Sequence, residues 1–191
     1  RVLFRSLREP ESMNLNLNGE VIQGTSDKFL QSGISHVPED RLSMGLVKEM
    51  SIMENMILGY HRDPDCCKSN GLLKKKDILK YADKLKTMFL VKAPSEEVPE
   101  QSLSGGNQQK IVIARAFSHN PKAIIIAHPT RGVDIGAMEY IHQQLIELRD
   151  KGAAILLISA DLDEVRTLSD RLLVLYEGEI VSESMPGELN E

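Results

Sequence analysis

The stretch Ser102-Leu103-Ser104-Gly105-Gly106-Asn107-Gln108-Gln109-Lys110 runs directly into an apolar segment at residues 111–114. A serine and two glycines that open a helix favour a phosphate site, because the first turn of a helix leaves backbone N–H groups unpaired and carries a partial positive charge. Glycine removes the side chain that would hold an anion away from those groups, and the Ser104 hydroxyl adds a donor. The plainer alternative is an ordinary helix cap, in which Ser104 and Asn107 form an incomplete capping box.

The composition is that of a globular protein. Its 191 residues are 41% hydrophobic and 27% charged, which is enough for one domain with a core and a subdomain. A net charge of -5 and a pI near 5.6 argue against a nucleic-acid partner, which would favour a basic surface. No apolar run approaches the roughly 20 residues that span a bilayer and no signal-peptide pattern is present, so we predict a soluble, cytoplasmic chain. The only cysteines, Cys66 and Cys67, have no histidine or further cysteine at ligand spacing, which predicts a reducing compartment and no metal site.

The first half of the chain predicts a ribbon, a strand and a helical segment. Alternating residues 14–18, with the turn Asn18-Gly19, predict an antiparallel ribbon that returns through residues 21–22. Residues 33–37 predict a strand that ends at a proline and leads into a charged loop. The next segment, residues 50–100, is predicted to be mostly helical, with a helix that begins at the capping box Ser51-Ile52-Met53-Glu54 and a second helix at residues 77–89.

The second half predicts alternating strands and helices. Residues 123–127 and 154–158 are short apolar runs, which favour parallel strands that are covered on both faces. Asp134 is placed to cap a helix that Lys151-Gly152 ends. A helix at residues 162–168 and a strand at 172–176 follow, and the turn Glu177-Gly178 leads into a last strand at 180–181. Strands that alternate with helices predict an α/β fold with a parallel sheet and right-handed crossovers.

An ATPase of the P-loop type needs a glycine-rich loop with a lysine for the β and γ phosphates, and a carboxylate at a strand end for magnesium. None of the thirteen glycines is followed by lysine, so this chain carries no P-loop of its own. The predicted strand end reads Ile126-Ala127-His128-Pro129-Thr130-Arg131-Gly132. Ala127 offers no metal ligand, and we interpret His128 as a structural or solvent-facing residue in preference to a base.

The whole stretch LSGGNQQK, together with Gly33-Ile34-Ser35-His36-Val37-Pro38-Glu39-Asp40-Arg41 and Pro129-Thr130-Arg131-Gly132, resembles ATP-binding cassette (ABC) ATPases of importers for simple sugars and nucleosides. The resemblance is to the second, C-terminal nucleotide-binding domain of tandem cassettes. It implies a P-loop NTPase-like ABC core with a parallel sheet and helices on both faces, an antiparallel edge ribbon and a helical subdomain. We therefore expect a single ABC domain at residues 1–191, truncated at its N-terminus, with a helical signature subdomain at about 50–100 and core at 1–49 and 101–191.

The same resemblance implies which residues meet the nucleotide. In that family each ATP lies between one cassette's P-loop and the other's signature, so this domain would supply its signature in trans while magnesium binds with the partner cassette. The residues that match these trans-acting elements are Ser104, Gly105, Gly106, Asn107, Gln108 and Asp134. Four positions depart from the catalytic pattern: Glu39 replaces a glutamine, Ala127 the metal-side Asp, His128 the catalytic Glu, and Ala160 the switch histidine. The resemblance thus predicts a catalytically degenerate pocket.

The resemblance also implies partners and a location. These are the N-terminal cassette of the same polypeptide, membrane permease subunits and, indirectly, an extracytoplasmic solute-binding protein, with the domain held peripherally at the cytoplasmic face of the plasma membrane. We expect Glu39 and residues 51–90 to face the permease with Met50, Met53 and Met56 exposed; the alternative is that these methionines pack inside the subdomain. Two other functions stay open: an active ATPase whose P-loop lies outside this chain, and a soluble regulatory ABC protein.

Overall fold

A computed structural model describes residues 15–23 and 26–188 of the chain. Its first element is the predicted ribbon, in which β1 (Asn16–Leu17) pairs antiparallel with β2 (Glu20–Val21). Asn18 and Gly19 both adopt the left-handed conformation, at φ 53° and 87°, which a two-residue turn of this type requires. The observed strands are shorter than predicted: Leu15 and Ile22 lie outside them, although the Ile22 amide donates to the Leu15 carbonyl at 2.8 Å, and residue 14 lies outside the described residues.

A short helix that the sequence analysis did not predict follows the ribbon. Helix α1 (Ser26–Gln31) precedes β3 (Ile34–Val37). Phe29 of this helix is 2% exposed and packs with Ile22 and Ile34 in a small cluster of its own. Six residues carry too little periodicity to distinguish a helix from a loop, so this helix depends on the burial of Phe29.

The central sheet has three parallel strands in the order β3, β4 (Ala123–Ala127) and β5 (Ala154–Ile158). Ile124 and Ile126 of β4 are fully buried in the main core. The prediction that β5 is covered on both faces is wrong, because its side chains alternate in exposure and Leu156 and Ile158 are 51% and 47% exposed. Within the described residues, helices cover only one face of this strand.

The helical segment is smaller than predicted. The charged loop after β3 forms a π-turn (Arg41–Gly45), and α2 (Ile52–Met56) begins at the predicted capping box, in which the Ser51 Oγ accepts from the Glu54 amide. Turns connect α2 to α3 (Lys75–Met88), and a short 3-10 helix (Glu100–Ser102) leads back to the core. Met53 and Met56 are 7% and 0% exposed, so the expectation that they are exposed is wrong and the alternative of internal packing holds for both. Met50 is exposed, as expected.

The main core lies where the signature helix meets the sheet and the helical segment. Helix α4 (Gly105–Phe117) buries Ile111, Val112 and Ile113 completely, and α5 (Ile135–Asp150) contributes Ile141 and Leu145. This packing fixes the first turn of α4 relative to the strand ends, because a helix buried along this much of its length has little freedom to rotate.

The C-terminal strands do not join the parallel sheet. After α6 (Leu162–Leu168), strands β6 (Leu172–Tyr176) and β7 (Glu179–Ser184) form an antiparallel hairpin. The predicted turn Glu177-Gly178, with both φ angles positive, joins β6 to β7 as expected. The prediction that the strand at 172–176 continues the parallel sheet is wrong within the described residues, because β6 and β7 form a separate two-stranded sheet. No helix among the described residues has the length and apolarity to cross a bilayer.

Candidate functional site

The first turn of α4 has no side-chain cap. Ser104 occupies the cap position with extended backbone angles, but its hydroxyl bonds to none of the helix amides. The Ser104 Oγ instead accepts from Asn107 Nδ2 at 3.0 Å, and the Asn107 Oδ1 accepts from the Lys92 amide at 2.7 Å. The amides of the first turn therefore have no partner inside the helix, and the Ser104 hydroxyl keeps its hydrogen available as a donor.

Arg41 brings positive charge to the first glycine of α4. A Cβ atom on Gly105 would lie 2.6 Å from Arg41 Nη2, so only glycine lets the guanidinium approach the helix backbone this closely. The Arg41 Nη1 donates to the Arg131 carbonyl at 3.0 Å, and the Arg131 Nη1 donates to Glu39 Oε1 at 2.7 Å. The loop after β3 is thereby tied to the loop after β4 at the edge of the α4 turn.

Asp134 lies against the second glycine of α4. Its Oδ1 accepts from the Ala137 amide at 2.9 Å and caps α5 as predicted, while its Oδ2 would lie 3.2 Å from a Cβ atom on Gly106. The structure therefore brings Asp134 next to the stretch Ser104-Gly105-Gly106, which lies far from it in the sequence. All four residues were predicted to be site residues.

The two glutamines that follow the glycines point into the protein. Gln108 is 8% exposed and Gln109 is 3% exposed. The Gln109 Nε2 donates to the Pro129 carbonyl at 2.9 Å, which joins α4 directly to the loop after β4. Gln108 was predicted to bind nucleotide, and that role stays a prediction for a largely buried side chain.

The four departing positions cluster at the carboxyl ends of the parallel strands. Ala127 is the last residue of β4, opposite Ile158 of β5, and offers only a methyl group. His128 has φ 47° and its amide donates to the Ile158 carbonyl at 2.8 Å, so this residue turns the chain sharply away from the sheet. Glu39 follows β3 and Ala160 follows β5, and both are exposed. The predicted grouping of these positions at one edge of the sheet fits this topology.

A buried carboxylate supports the loop after β4. Glu164 of α6 is 4% exposed, and its Oε1 accepts from Thr130 Oγ1 at 2.8 Å and contacts His142 Nε2 at 3.0 Å. Glu164 therefore connects the loop after β4, through Thr130, to α5, through His142, and to its own helix α6. The sequence analysis missed it because three separate elements supply its members, and no local spacing indicates that they meet.

Glu100 is a second buried carboxyl, close before the signature in sequence. It is fully buried, and neither carboxylate oxygen has a hydrogen-bond partner among the described residues. Burial raises the pKa of the Glu100 carboxyl, while the positive charges of Lys48 and Arg41 act in the opposite direction. Arg41 therefore acts electrostatically on a buried acidic group and also lies against the open first turn of α4.

A protein-family model matches most of the chain. Residues 2–131 match the model of the ABC transporter family. Within residues 15–23 and 26–188, no group of three or more histidine, cysteine, aspartate or glutamate side chains is arranged to hold a metal ion.

Curated relatives include import proteins. The chain is 44% identical over 187 residues to the guanosine import ATP-binding protein NupO of Bacillus subtilis, which covers 97% of this chain and 36% of that protein. It is 44% identical to the nucleoside import ATP-binding protein NupA of Lactococcus lactis, covering 85% of this chain and 32% of that protein. A ribose import ATP-binding protein, RbsA of Oceanobacillus iheyensis, is 38% identical with the same coverage. The chain thus spans about a third of the length of these relatives.

Solved structures share the fold. The ATP-binding cassette MJ0796 in a post-hydrolysis state with ADP and Pi superposes with a TM-score of 0.74, covering 94% of this chain and 76% of that chain at 22% identity. A nucleotide-free cassette from an ABC transporter gives 0.69 at 24% identity, covering 94% and 72%. At these identities the likeness concerns the fold, which is the ABC ATPase fold that the sequence analysis predicted.

Proposed function

The chain belongs to the ABC transporter family, and we propose that it is the second, C-terminal nucleotide-binding domain of a tandem importer ATPase for nucleosides or simple sugars. In this proposal it supplies its signature in trans to an ATP that the N-terminal cassette of the same polypeptide holds. The relatives named for nucleoside and ribose import support the solute class. Among these classes we favour nucleosides, since the two relatives at 44% identity are nucleoside and guanosine import proteins.

The observation that carries the proposal is the uncapped first turn of α4. Ser104 leaves the helix amides without a cap, Gly105 and Gly106 leave them without side-chain cover, and Arg41 adds a cation beside them. This combination fits the outer phosphates of a nucleotide, which bind well to unpaired amides at a helix N-terminus. ATP would meet these groups, and it would supply the phosphoanhydride bond whose hydrolysis drives transport.

The residues at the carboxyl ends of the parallel strands do not supply the ligands that a magnesium ion needs. A hard divalent cation needs oxygen ligands, whereas Ala127 ends β4 with a methyl group and Ala160 ends the turn after β5 with another. Glu39 is engaged with Arg131. We infer that this edge is catalytically degenerate and that magnesium binds with the partner cassette.

The proposed permease contact uses the segment between β3 and α2. Apolar side chains are exposed there at Leu42, Met44, Val47 and Met50, and unsheltered apolar groups at this density favour a protein interface. The domain would thus lie peripherally at the cytoplasmic face of the membrane, and the permease, not this domain, would receive solute from an extracytoplasmic binding protein. Glu39 is part of the same loop, although its ion pair with Arg131 turns it toward the nucleotide side.

The experiment is ATP turnover and solute uptake by the full-length importer that contains this domain, reconstituted with its permease. Ser104→Arg is expected to abolish both, because the new side chain fills the space where a phosphate would meet the first turn of α4. Ser69→Arg makes the same substitution at an exposed turn far along the chain and is expected to leave turnover unchanged. Near-normal turnover in Ser104→Arg would contradict the proposed role of the signature.

A further inference from the structure

Two helices of this chain begin after a serine at the cap position, and the two serines make opposite hydrogen bonds. Ser51 precedes α2 and Ser104 precedes α4, both with extended backbone angles. The residue three positions later is Glu54 in the first case and Asn107 in the second. The residue at this third helical position is the one that pairs with the cap residue in a capping box, so its side chain determines how each serine is used.

Ser51 makes the usual cap. Its Oγ accepts from the Glu54 amide at 3.4 Å, and its hydroxyl hydrogen is donated to Glu54 Oε2 at 2.6 Å. The same carboxylate oxygen also accepts from the Ser51 amide at 2.8 Å. The oxygen and the hydrogen of this hydroxyl are therefore both used inside the protein, and one amide in the first turn of α2 is covered.

Ser104 makes the reverse arrangement. Its Oγ accepts from Asn107 Nδ2 at 3.0 Å and not from a helix amide. The direction of this bond follows from the Lys92 amide, which lies 2.7 Å from Asn107 Oδ1. Because a backbone N–H only donates, the atom of the asparagine amide that faces Lys92 is the oxygen, and the atom that faces Ser104 is the NH₂ group. The Ser104 oxygen is thus occupied while its hydrogen stays available.

The segment that supplies the Lys92 amide is itself held in place. Leu90 has φ 52°, and its carbonyl accepts from Lys110 Nζ at 3.2 Å. Val91 is 6% exposed and belongs to the main core. Since Lys92 follows directly, its amide is a fixed donor that holds the Asn107 side chain in one orientation.

The two side chains of the α4 pair therefore differ in what they present to the outside. Ser104 is exposed and keeps a donor, so it is placed to meet an anion that approaches the first turn. Asn107 is half-buried, and both ends of its amide are bonded within the protein. Without the bond from Asn107 Nδ2, the Ser104 oxygen would be free to accept from a first-turn amide, as Ser51 does, and would cover a group that an anion needs.

We infer that Asn107 is a positioning residue, which keeps the Ser104 hydroxyl from capping α4 and directs its hydrogen toward the terminal phosphate of the bound ATP. The inference rests on the proposed function, in which the first turn of α4 meets that phosphate. It replaces the predicted direct contact of Asn107 with the nucleotide by an indirect one that acts through Ser104. It also ties the phosphate-binding turn to the residues after α3, since the Lys92 amide orients Asn107.

The test is a double-mutant cycle in the full-length importer ATPase, reconstituted with its permease and assayed for ATP turnover. Ser104→Ala removes the hydroxyl and is expected to lower kcat about 10- to 100-fold, the usual effect of losing a hydrogen bond to a charged group. Asn107→Ala is expected to lower kcat to a similar extent, because Ser104 then turns to the helix amides. KM for ATP should stay within about twofold in both variants, since the N-terminal cassette holds the ATP in the proposed function.

The double variant Ser104→Ala with Asn107→Ala shows whether Asn107 acts through Ser104. Its kcat is expected to lie within about twofold of that of Ser104→Ala alone, because without the hydroxyl there is nothing for Asn107 to position. Losses that multiply would overturn the inference, since Asn107 would then act independently. A rise in KM in place of the fall in kcat would overturn it as well.

Asn107→Asp removes the donor while keeping the fold, and it keeps the test valid if Asn107→Ala lowers the thermal unfolding midpoint. Its carboxylate still accepts from the Lys92 amide, and a negative charge near a helix N-terminus is favourable, so its midpoint should be no lower than that of the unmodified protein. The Ser104 hydroxyl would donate to the new carboxylate, as Ser51 does to Glu54, and kcat should fall.

The added charge also repels phosphate, and the Ser104→Ala background measures that part of the effect. Asn107→Asp is expected to cost at least about fivefold less in Ser104→Ala than in the unmodified protein, because the hydroxyl that it misdirects is already gone. Equal losses in the two backgrounds would overturn the inference, since charge alone would then account for them.

Ser104→Arg separates this inference from the proposed function. Near-normal turnover in Ser104→Arg would show that the first turn of α4 does not meet the nucleotide, and the proposed function and the inference would both be wrong. If Ser104→Arg abolishes turnover while Asn107→Ala and Asn107→Asp keep normal turnover, only the inference is wrong.

Discussion

The start of α4 and the end of β4 lie side by side, joined by the bond from Gln109 Nε2 to the Pro129 carbonyl, but they differ in what they retain. The α4 turn keeps its uncapped amides, its two glycines and a nearby cation, whereas the strand end has alanine and histidine where the family resemblance places two carboxylates. The first kind of site depends on backbone geometry and the absence of side chains, and the second depends on the identity of particular side chains. In the proposed function, the strand end is therefore catalytically degenerate while the neighbouring α4 turn still binds a phosphate.

The largest effect is expected from a single charge at the α4 turn. Gly105→Asp puts a carboxylate against Arg41 Nη2 and the first helix amides, where the proposed phosphate would bind. Turnover of the full-length importer should fall by at least about 10²- to 10³-fold. The protein should remain folded, because an acidic side chain at a helix N-terminus is favourable, and the thermal unfolding midpoint checks this.

Gly105→Ala is the matched control for that experiment. It adds a Cβ atom without charge, and the clash at 2.6 Å is with the end of a flexible side chain that is able to move. A much smaller loss of turnover is expected than for Gly105→Asp. Equal losses would mean that steric contact with Arg41, and not the added charge, accounts for the effect.

The free energy of unfolding should depend on pH, because the pKa of His36 differs between the folded and the unfolded protein. Burial lowers the pKa of His36 to about 4 in the folded protein, against 6.5 when it is exposed. The stability that depends on neutral His36 is therefore fully present above about pH 6.5 and is lost as the pH falls toward 4, by up to about 3 kcal/mol. The measurement is the free energy of unfolding in urea across this range.

His36→Gln removes this titration while keeping a polar side chain in β3. Its unfolding free energy should fall less steeply between pH 6.5 and 4 than that of the unmodified protein. The buried His119, whose pKa burial also lowers, contributes in the same direction and leaves a residual slope. An unchanged slope in His36→Gln would contradict the assignment to His36.

A smaller effect is expected when the bond between the two regions is removed. Gln109→Leu leaves the Pro129 carbonyl without its buried donor, which should cost about 1–3 kcal/mol of unfolding free energy. Gln108→Leu is the matched control, since no hydrogen bond joins the Gln108 side chain to residues 128–134 in the part of the chain that the structure describes. A loss in Gln108→Leu as large as that in Gln109→Leu would show that the bond is not responsible.

The smallest effect is expected at the strand end. The paired change Ala127→Asp with His128→Glu restores two carboxylates, but Ala160 and the engaged Glu39 remain. Turnover of the full-length importer should change by less than about twofold. If this pair raised turnover severalfold while Gly105→Asp left it near normal, the roles assigned to the two regions would be reversed.

The sequence correctly predicted the turns and helix caps that are determined by residues close together in the chain. The Asn18-Gly19 turn, the Ser51 capping box and the Asp134 cap all lie where the sequence indicated. Each depends on residues within a few positions of one another. The exposure of Met53 and Met56 was predicted wrongly, because burial depends on which distant elements pack against a short helix.

The sequence by itself determined the family, the α/β class and the glycine-opened helix, since these depend on a continuous motif and on periodicity. Only the tertiary structure decided that Arg41 lies on Gly105 and that Glu164 supports Thr130. It also decided that the hairpin, whose turn the sequence predicted, lies outside the parallel sheet. The physical reason is that these features join residues far apart in the chain, and their energies come from desolvation and charge in a packed environment that no local spacing specifies.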